Sequence, residues 1–376
     1  DARDVQDYRV YDRDGRVRLR IDGAGAVAES VYDAANQATA VTRYANAKAL
    51  DPGLRAQLWA GTADIGSLLA GIAADPTRDH SSYSVRDALG RERLSIDATG
   101  AVTETVYDPV GRTLRSLRYA NAWPLDDARR AQLRAGTLDA NTVLSSLAAD
   151  SARDRGVVLV YDRVGRLRYT LTRTDSDRAV VSESRFDAVG QTVAQIQYGV
   201  TIGFNPASSE ADVTSALSAA LAADPARQRS THTVYDAAGR ARFAVDAVGA
   251  VTQMRYDATG LVVQSVRYQQ ARAFNGANLA DWVAWAQGQP AGEQRISTTL
   301  HDAAGRASVR TDALNHSETI TYDGSGQVLS VTNRRAPPST STTTAVIRSA
   351  PCSPTPAASI RPAANWWPAA ARRASR

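Results

Sequence analysis

The chain has 376 residues, enough for two or three ordinary domains, and 43% of them are hydrophobic, enough to build a core. Its 44 basic residues outnumber its 39 acidic ones, but seven arginines and no acidic residue lie in residues 333–376. The residues before them hold 37 basic against 39 acidic side chains, which removes the main support for a nucleic-acid partner. One cysteine allows no disulfide framework, and no hydrophobic run has the length of a membrane span.

The predicted elements are short strands separated by four-residue turns of the pattern Asp-x-x-Gly. The clearest stretch is 234–268, where turns at Asp236, Asp246 and Asp257 separate strand-length runs rich in Val, Arg, Tyr and Phe. In such a turn the Asp side chain accepts hydrogen bonds from the backbone two residues on, and Gly takes the left-handed conformation. The spacing therefore predicts a meander of antiparallel strands.

We use the word corner for each Asp-x-x-Gly turn together with the residue that follows it. An aromatic residue often precedes the corner, and Arg often ends it. In chain order the signature residues are Tyr11, Asp12, Gly15 and Arg16; Asp87, Gly90 and Arg91; Tyr107, Asp108, Gly111 and Arg112; Tyr161, Asp162, Gly165 and Arg166; Tyr235, Asp236, Gly239 and Arg240; Tyr256, Asp257 and Gly260; Asp302, Gly305 and Arg306; Tyr322 and Asp323.

The corners fall into five repeat units joined by four inserts. The units lie near 8–44, 83–119, 158–198, 232–268 and 298–332, and the inserts are 45–82, 120–157, 199–231 and 269–297. The units keep nearly constant length, apart from an expanded corner at 174–178, whereas the inserts vary. A sheet fixes strand lengths and surface connections tolerate insertion, so we predict one elongated array whose frame is β.

The inserts carry helix signals. Each has apolar residues at helical spacing, and three have recognisable start residues. In the first insert Asp51 is the helix start and Gly61 the stop, and in the second Asp126 is the start and Gly136 the stop. In the third, Ser209 and Asp212 match a capping box. The fourth insert has Leu279, Trp282, Val283 and Ala286 at helical spacing. Helices this short are not stable alone, so their apolar faces are expected to pack on the sheet or on the next insert.

The repeated Tyr-Asp-x-x-Gly-Arg lines resemble the YD repeats of the bacterial RHS family over residues 8–332. The resemblance implies a β-sheet spiral that forms a hollow shell. In polymorphic toxins of the family this shell encloses a C-terminal toxic segment, and related repeats occur in insecticidal toxin complexes and in teneurins. It also implies, as partners, a toxin cargo segment or neighbouring repeats of the same larger protein. Two departures stand out, since no self-cleaving core region is found and simple YD arrays lack helical inserts.

No constellation of catalytic or metal-binding residues is found. The histidines at positions 80, 232, 301 and 316 are scattered, without partners at metal-ligand spacing. Asp12 and Asp14 lack the later ligands of a calcium loop. The corner aspartates recur regularly, whereas a catalytic pair should be singular. We therefore expect no enzyme activity and no cofactor.

Two residue sets leave alternatives open. The arginines that end the corners could line up as a basic ladder for acidic sugars or a cargo, or each could pair with an Asp of a neighbouring corner. The tyrosines at the unit ends (Tyr44, Tyr119, Tyr198 and Tyr268), and Tyr32, Tyr107 and Tyr256 twelve residues before three of them, could serve as sugar platforms. Alternatively they form aromatic cross-strand packing.

Residues 333–376 differ from the array, with seven of the 14 prolines, Cys352 and low-complexity runs. We interpret them as a disordered extension or a frameshifted end. The chain starts at Asp1 without Met and shows no signal peptide, so we expect a fragment of a larger secreted or surface-exposed bacterial protein.

The sequence thus predicts a mainly β array with α-helical inserts that forms the wall of a toxin-enclosing shell. The alternative is a carbohydrate-binding surface adhesin, with glycans as the partner.

Overall fold

The structure, a computed structural model, describes residues 7–75, 77–222, 224, 226–334 and 343–345. The chain divides into two compact units. The large unit is Val5–Thr298, and the small unit holds Thr299–Arg376 together with Asp1–Asp4.

Short strands make up most of the large unit. They are β1 (Asp7–Tyr11), β2 (Val17–Asp22), β3 (Val27–Tyr32), β4 (Ala38–Arg43), β5 (His80–Arg86), β6 (Glu92–Ile96), β7 (Val102–Tyr107), β8 (Thr113–Arg118), β9 (Arg155–Tyr161), β10 (Leu167–Arg173), β11 (Arg178–Phe186), β12 (Thr192–Gly203), β13 (Gln228–Tyr235), β14 (Ala241–Val245), β15 (Ala250–Tyr256), β16 (Val262–Ala271) and β17 (Gln294–His301), of which Gln294–Thr298 belongs to this unit.

Each strand pairs antiparallel with the next strand in the chain, from β1 through β17. Alternation in the sequence explains the strands, as in β2, which buries Leu19 and Ile21 and exposes Arg20. The result is one continuous meander in which every strand is bonded to its chain neighbours.

The two long edges of this sheet differ. At one edge, here the turn edge, every connection is a tight corner: 12–16, 33–37, 87–91, 108–112, 162–166, 187–191, 236–240 and 257–261. At the other, the insert edge, the corners at 22–26, 97–101, 174–178 and 246–250 alternate with the four inserts. The expanded corner predicted at 174–178 is present, closed by the hydrogen bond from the Thr174 amide to the Arg178 carbonyl.

Helices occur in all four inserts: α1 (Pro52–Ala60), α2 (Ile65–Ala70), α3 (Asp127–Ala135), α4 (Ala140–Ser146), α5 (Glu210–Leu221) and α6 (Leu279–Gln287). Their ends follow the sequence signals. Asp51 and Asp126 cap α1 and α3, which both stop at a left-handed glycine. Ser209 and Asp212 form the expected capping box of α5.

All inserts cover the same face of the sheet. Directly paired residues of neighbouring strands share a face, so the register follows one face from Tyr83 through Ile96 to Val102. These residues are buried with Trp123 and Leu133 of the second insert. The other inserts pack in the same way, through Leu58 and Leu68, Val213 and Leu217, and Trp282 and Ala286. We term this side the covered face.

The opposite side, the open face, is rich in small hydroxyl side chains, and none of its described strand residues is buried. Its paired residues include Ser84 with Ser95, Ser95 with Thr103, Thr105 with Ser116, Thr170 with Ser182, and Ser265 with Ser297. Arginines such as Arg20, Arg118 and Arg267 lie near its margins, within 4 Å of corner or strand aspartates.

The small unit contains β18 (Ala307–Thr311), β19 (Ser317–Tyr322), β20 (Val328–Arg334) and β21 (Thr343–Ala345), which pair antiparallel in chain order. Its corners at 302–306, 312–316 and 323–327 have the same backbone bonds as those of the large unit. The mainly β fold predicted from the sequence is confirmed. The proposed character of residues 333–376 stays a prediction, because only Asn333, Arg334 and the backbone of Thr343–Ala345 lie within the described residues.

Candidate functional site

The signature residues of the repeat meet at the corners, and one corner shows their common geometry. The Asp108 carboxylate accepts hydrogen bonds from the amides of Val110 and Arg112, at 3.0 and 2.8 Å. The Gly111 amide donates to the Asp108 carbonyl, and Gly111 has a φ of 91°, a conformation that disfavours any side chain. The sequence spacing of Asp and Gly is therefore set by the turn itself.

The Arg that ends a corner binds the Asp that starts the same corner. Arg112 Nε donates to the Asp108 carboxylate at 2.6 Å. Burial acts to raise the pKa of the Asp108 carboxyl, but the hydrogen bonds from Arg112 outweigh it and hold this pKa below its usual value. The same pair forms at Asp12 with Arg16, Asp87 with Arg91, Asp162 with Arg166, Asp236 with Arg240, and Asp302 with Arg306. The alternative of an ion pair with a neighbouring corner's Asp is wrong, because the four-residue spacing already brings the two charges together.

The neighbouring corner contributes its aromatic ring instead. The Arg112 guanidinium lies 4.6 Å from the centre of the Tyr161 ring, and the Tyr161 hydroxyl donates to the Thr113 carbonyl at 2.9 Å. We term this contact, from one corner to the next along the turn edge, a corner link. It recurs for Arg16 with Tyr32, Arg91 with Tyr107, Arg166 with Phe186, Arg240 with Tyr256 and, in the small unit, Arg306 with Tyr322.

Corner links persist where the signature residues are replaced. Arg86 occupies the repeat position that is Tyr before most other turn-edge corners. Its guanidinium donates to the carbonyl of Ala38, the residue after the preceding corner at 33–37. Gln191 stands at an Arg position and donates to the Gly239 carbonyl, while the Tyr235 hydroxyl still donates to Thr192. Tyr11 precedes the first corner of the large unit, so no earlier corner of that unit supplies an arginine to cover it, and it is half exposed. The motif thus encodes links between consecutive corners of the sheet edge.

These contacts bear on both open alternatives. The corner arginines have their charge matched by a carboxylate at hydrogen-bonding distance and their flat face covered by an aromatic ring. They therefore do not form a row of free cations. Tyr32, Tyr107 and Tyr256 pack across the sheet on the arginine of the preceding turn-edge corner, and not on another aromatic ring.

Buried carboxylates form a second repeating feature, which sequence reasoning missed. Glu29, Glu104 and Glu183 lie on the covered face and are at most 3% exposed. Glu104 binds Arg93 and Arg115, each at 2.8 Å, and accepts a hydrogen bond from the Tyr119 hydroxyl. Burial and the Glu104 charge raise the pKa of Tyr119 to about 12, so the phenol remains a donor.

The other two carboxylates have equivalent partners. Glu29 binds Arg18, the Tyr44 hydroxyl and Arg134, a residue that reaches back from α3 of the second insert. Glu183 binds Arg168, Arg185 and the Tyr198 hydroxyl. Tyr44, Tyr119 and Tyr198 therefore serve as hydrogen-bond donors to a buried acid. Glu29 and Glu104 lie seven residues after the insert-edge corner aspartates Asp22 and Asp97, and this repeated spacing was the sequence signal that could have found the site.

The fourth repeat keeps the cations but not the acid. Gln253 occupies the Glu position, 3% exposed, and accepts from the Tyr268 hydroxyl at 2.8 Å. Arg242 and Arg255 take the positions of Arg168 and Arg185, and neither forms an ion pair within the described residues. In the small unit the equivalent residue is Thr319, which pairs with Val309 as Gln253 pairs with Phe243.

Each insert is anchored by its backbone to an insert-edge corner. The Trp123 amide donates to the Gly100 carbonyl at 2.7 Å, and a Cβ at Gly100 would lie 2.2 Å from the Trp123 carbonyl oxygen. Gly25 with Lys48 and Gly249 with Arg272 repeat the arrangement. Insert ends are held by buried carboxylates, as Asp154 accepts from the amides of Ala120 and Asp150.

The histidines do not come together. His232 stacks on Phe274 with ring centres 3.9 Å apart, and burial lowers its pKa. His316 contacts Asp312 of its own corner. Among residues 7–334, apart from positions 76, 223 and 225, no group of His, Cys, Asp and Glu could hold a metal ion. In the same part of the chain no helix is long and apolar enough to cross a membrane.

An open groove of about 640 Å³ lies between the corner at 162–166 and the start of α5. Its charged walls include Arg166, Arg168 and Glu210. Arg168 pairs with Glu210 and Glu183, and Arg166 pairs with Asp162, so these side chains neutralise one another.

No family model matches this chain, and no curated protein matches it. Three similar solved structures share 14% identity with it. A crystal structure of TcdB2-TccC3-TEV has a TM-score of 0.32 and matches 88% of this chain and 17% of that chain. A crystal structure of TcdB2-TccC3 has a TM-score of 0.28 and matches 92% and 18%. The Photorhabdus luminescens Tc holotoxin pore has a TM-score of 0.27 and matches 88% and 19%. The chain spans less than a fifth of each, and similarity at this level carries no argument about function.

Proposed function

We propose that this chain is a section of the wall of a β-sheet shell that encloses a toxic segment of the same larger protein. The observation that carries the proposal is the two-sided sheet of the large unit. Helical inserts cover one face, and the other face is continuous, hydroxyl-rich and without buried side chains among the described strands. A sheet of many strands that stays open on one side suits an enclosing wall.

The corner links support the same role. An enclosing wall needs rigid edges, and a complete link ties one hairpin of the turn edge to the next by a cation–π contact and a hydrogen bond, while an ion pair holds the arginine in its own corner. A carbohydrate-binding adhesin is supported less well, because its candidate arginines and tyrosines are engaged with one another. The mechanism in this proposal is exclusion, since a cargo behind the wall cannot meet its target.

We further place the open face toward the cargo. Hydroxyl side chains without net charge in the centre of this face offer no strong site that would retain a cargo. The insert helices, with exposed residues such as Trp59 and Gln57 on α1, then form the outer surface.

Cysteine labelling of the longer protein tests enclosure and orientation together. Gln195→Cys lies on the open face and Ala56→Cys on α1, and both positions are exposed here. In a Cys352→Ser background, a bulky maleimide should label both variants of this chain. In the full-length protein it should label Ala56→Cys alone.

Labelling of both positions in the full-length protein would overturn enclosure, and labelling of Gln195→Cys alone would reverse the orientation. If the gene encodes no further segment that could be enclosed, the cargo role fails.

A further inference from the structure

Four neighbouring corners of the turn edge expose large apolar side chains. Leu89, Val110, Val164 and Val189 occupy the third position of consecutive corners and are 72%, 77%, 75% and 81% exposed. We term these four side chains the tip ridge. The corners on either side carry Asp14, Ala35, Ala238 and Thr259 at the same position. The ridge is therefore confined to the middle of the edge.

Local structure does not require these residues. The third turn position accepts Asp, Ala and Thr at other corners, and branched apolar side chains gain nothing there from packing. Single exposed hydrophobic residues are ordinary, but a row of four on consecutive corners is not, and clustered exposed apolar side chains mark interaction sites. Of the eight second- and third-position residues of these corners, Arg163 alone is charged.

The corner links hold the ridge in place. Arg91 donates to the Asp108 carbonyl and Arg166 to the Asp187 carbonyl, each at 3.0 Å, and Arg112 covers Tyr161 before the corner at 162–166. The tips are thus fixed relative to one another before any partner arrives. Association then costs little conformational entropy.

The spacing of the tips selects the partner. Consecutive corners of this edge are two strands apart, which sets the tips about 10 Å from one another. A partner that contacts all four tips must present apolar groups at the same interval, and the ridge itself does so. We propose that the tip ridge is a self-association surface that binds the ridge of a second copy of this chain.

A twofold axis between the corners at 108–112 and 162–166 gives the simplest arrangement. It places Val110 of one copy opposite Val164 of the other, and Leu89 opposite Val189, so that each tip contacts one tip of the partner edge. The contact buries less than the roughly 800 Å² per partner of a standard interface, so the dimer is weak and depends on concentration.

Sedimentation equilibrium of the whole chain, over about a hundredfold range of concentration, tests the proposal. The unmodified chain should show a reversible monomer–dimer equilibrium. Val110→Asn should weaken the dimer at least tenfold, and Val110→Asn with Val164→Asn should leave a monomer. Val248→Asn is the matched control, because Val248 has the same turn position and is 79% exposed but lies on the insert edge.

A monomer at every concentration would overturn the proposal. Equal weakening by Val248→Asn, or a dimer that survives the double substitution, would do the same. Circular dichroism should show unchanged folding in all variants, since these side chains contact solvent.

Cross-linking provides the geometric check. With Cys352→Ser, the pair Val110→Cys and Val164→Cys should give covalent dimers on mild oxidation. The two positions in one chain are too far apart to bridge, because a disulfide needs Cα atoms within about 7 Å. The pair Val110→Cys and Val248→Cys should not cross-link at a comparable rate, and equal rates would contradict the twofold arrangement.

Discussion

Every corner Arg of a complete link acts on two neighbours at once. Arg112 binds the Asp108 carboxylate, and its face covers Tyr161 of the next corner. The partners are only partly exposed, with side-chain exposures of 38% for Arg112 and 8% for Asp108. A Lys at this position would keep the charge but could not donate from a flat, stacked group, which explains why Arg ends most of the turn-edge corners.

The natural replacement of Tyr by Phe186 allows a test of the hydroxyl. Phe186 lies under Arg166 but cannot donate to the Leu167 carbonyl, whereas the equivalent Tyr107 donates to Glu92 at 3.0 Å. Phe186→Tyr should stabilise the protein by up to about 1 kcal/mol, and Tyr107→Phe should cost about as much. Urea unfolding of both variants checks the pair, and shifts of the same sign would argue against the link.

Acid should weaken the protein through the buried carboxylate of Glu183. Burial raises the pKa of Glu183, but hydrogen bonds from Arg185, Tyr198 and Arg168 lower it further, so the folded-state pKa lies below its usual value. The stability from this group is present above the unfolded-state pKa of about 4.3, and it is lost as pH falls through the folded-state value.

Glu183→Gln should therefore cost about 1–3 kcal/mol at neutral pH. The difference from the unmodified protein should shrink in acid, where both side chains are neutral. Unfolding free energies measured from neutral pH to about pH 3 decide this. A cost that stays constant with pH would contradict the assignment.

The fourth repeat offers the reverse experiment. Gln253→Glu restores a carboxylate beside Arg242 and Arg255, both of which act on the pKa of the adjacent Tyr268 phenol. We expect stability to rise at neutral pH, by up to about 1 kcal/mol after the cost of burial, and to fall back in acid. Thr319→Glu is the control, because Ser308 and Thr321 replace the two arginines and Thr319 is exposed, so it should leave stability nearly unchanged. A gain in both variants, judged by thermal unfolding, would contradict the role of the arginines.

At the scale of elements, the inserts depend on a close backbone approach. Gly100 has a φ of 83° and faces the Trp123 carbonyl, whereas Gly111 has a φ of 91° and open space within 4 Å of the point that a Cβ would occupy. Both positions strain an Ala, but Gly100 also excludes it sterically.

Gly111→Ala should thus cost about 1–2 kcal/mol, the penalty of the left-handed conformation. Gly100→Ala should cost clearly more and should loosen the second insert, since the Trp123 amide would lose its bond to Gly100. Trp123 is almost fully buried, so its fluorescence should shift in Gly100→Ala well before global unfolding. Equal costs without that shift would show that the anchor is unimportant.

The strands, corners and helix ends could be predicted from the sequence because the signals that set them are local. Corner aspartates and glycines, the caps at Asp51 and Asp126 and the capping box at Ser209 act within a few residues. The partners of Glu29 could not be read in this way, because Arg134 lies 105 residues away and meets it only after the second insert folds back. The open face was likewise hidden, since its hydroxyl residues alternate with the apolar ones and resemble ordinary surface.

At the scale of the whole molecule, the large unit is assembled from neighbour contacts. Each strand pairs with the next, the links join adjacent corners, and the anchors join each insert to a nearby corner. Arg134 makes one of the longer connections. Such arrays respond locally to damage.

Glu183→Gln should therefore raise hydrogen exchange near its own site and little elsewhere. We expect faster exchange in β10, β11 and β12, which surround Glu183, and unchanged exchange in β2 and β3. Native-state exchange followed by mass spectrometry measures this directly. A uniform increase over all strands would show one cooperative block instead.

The insert anchors also fix where each insert attaches to the sheet, while the sequence between the attachment points can vary. The first two inserts enter beside Gly25 and Gly100, and each closes on an aspartate 34 residues after its first amide, from Ala45 to Asp79 and from Ala120 to Asp154. The third insert uses the Arg227 carbonyl in place of an aspartate, and its helix differs completely. The attachment points on the sheet are thus constant, and the sequence of the insert between them is free to change. New binding segments could therefore be introduced there without altering a strand.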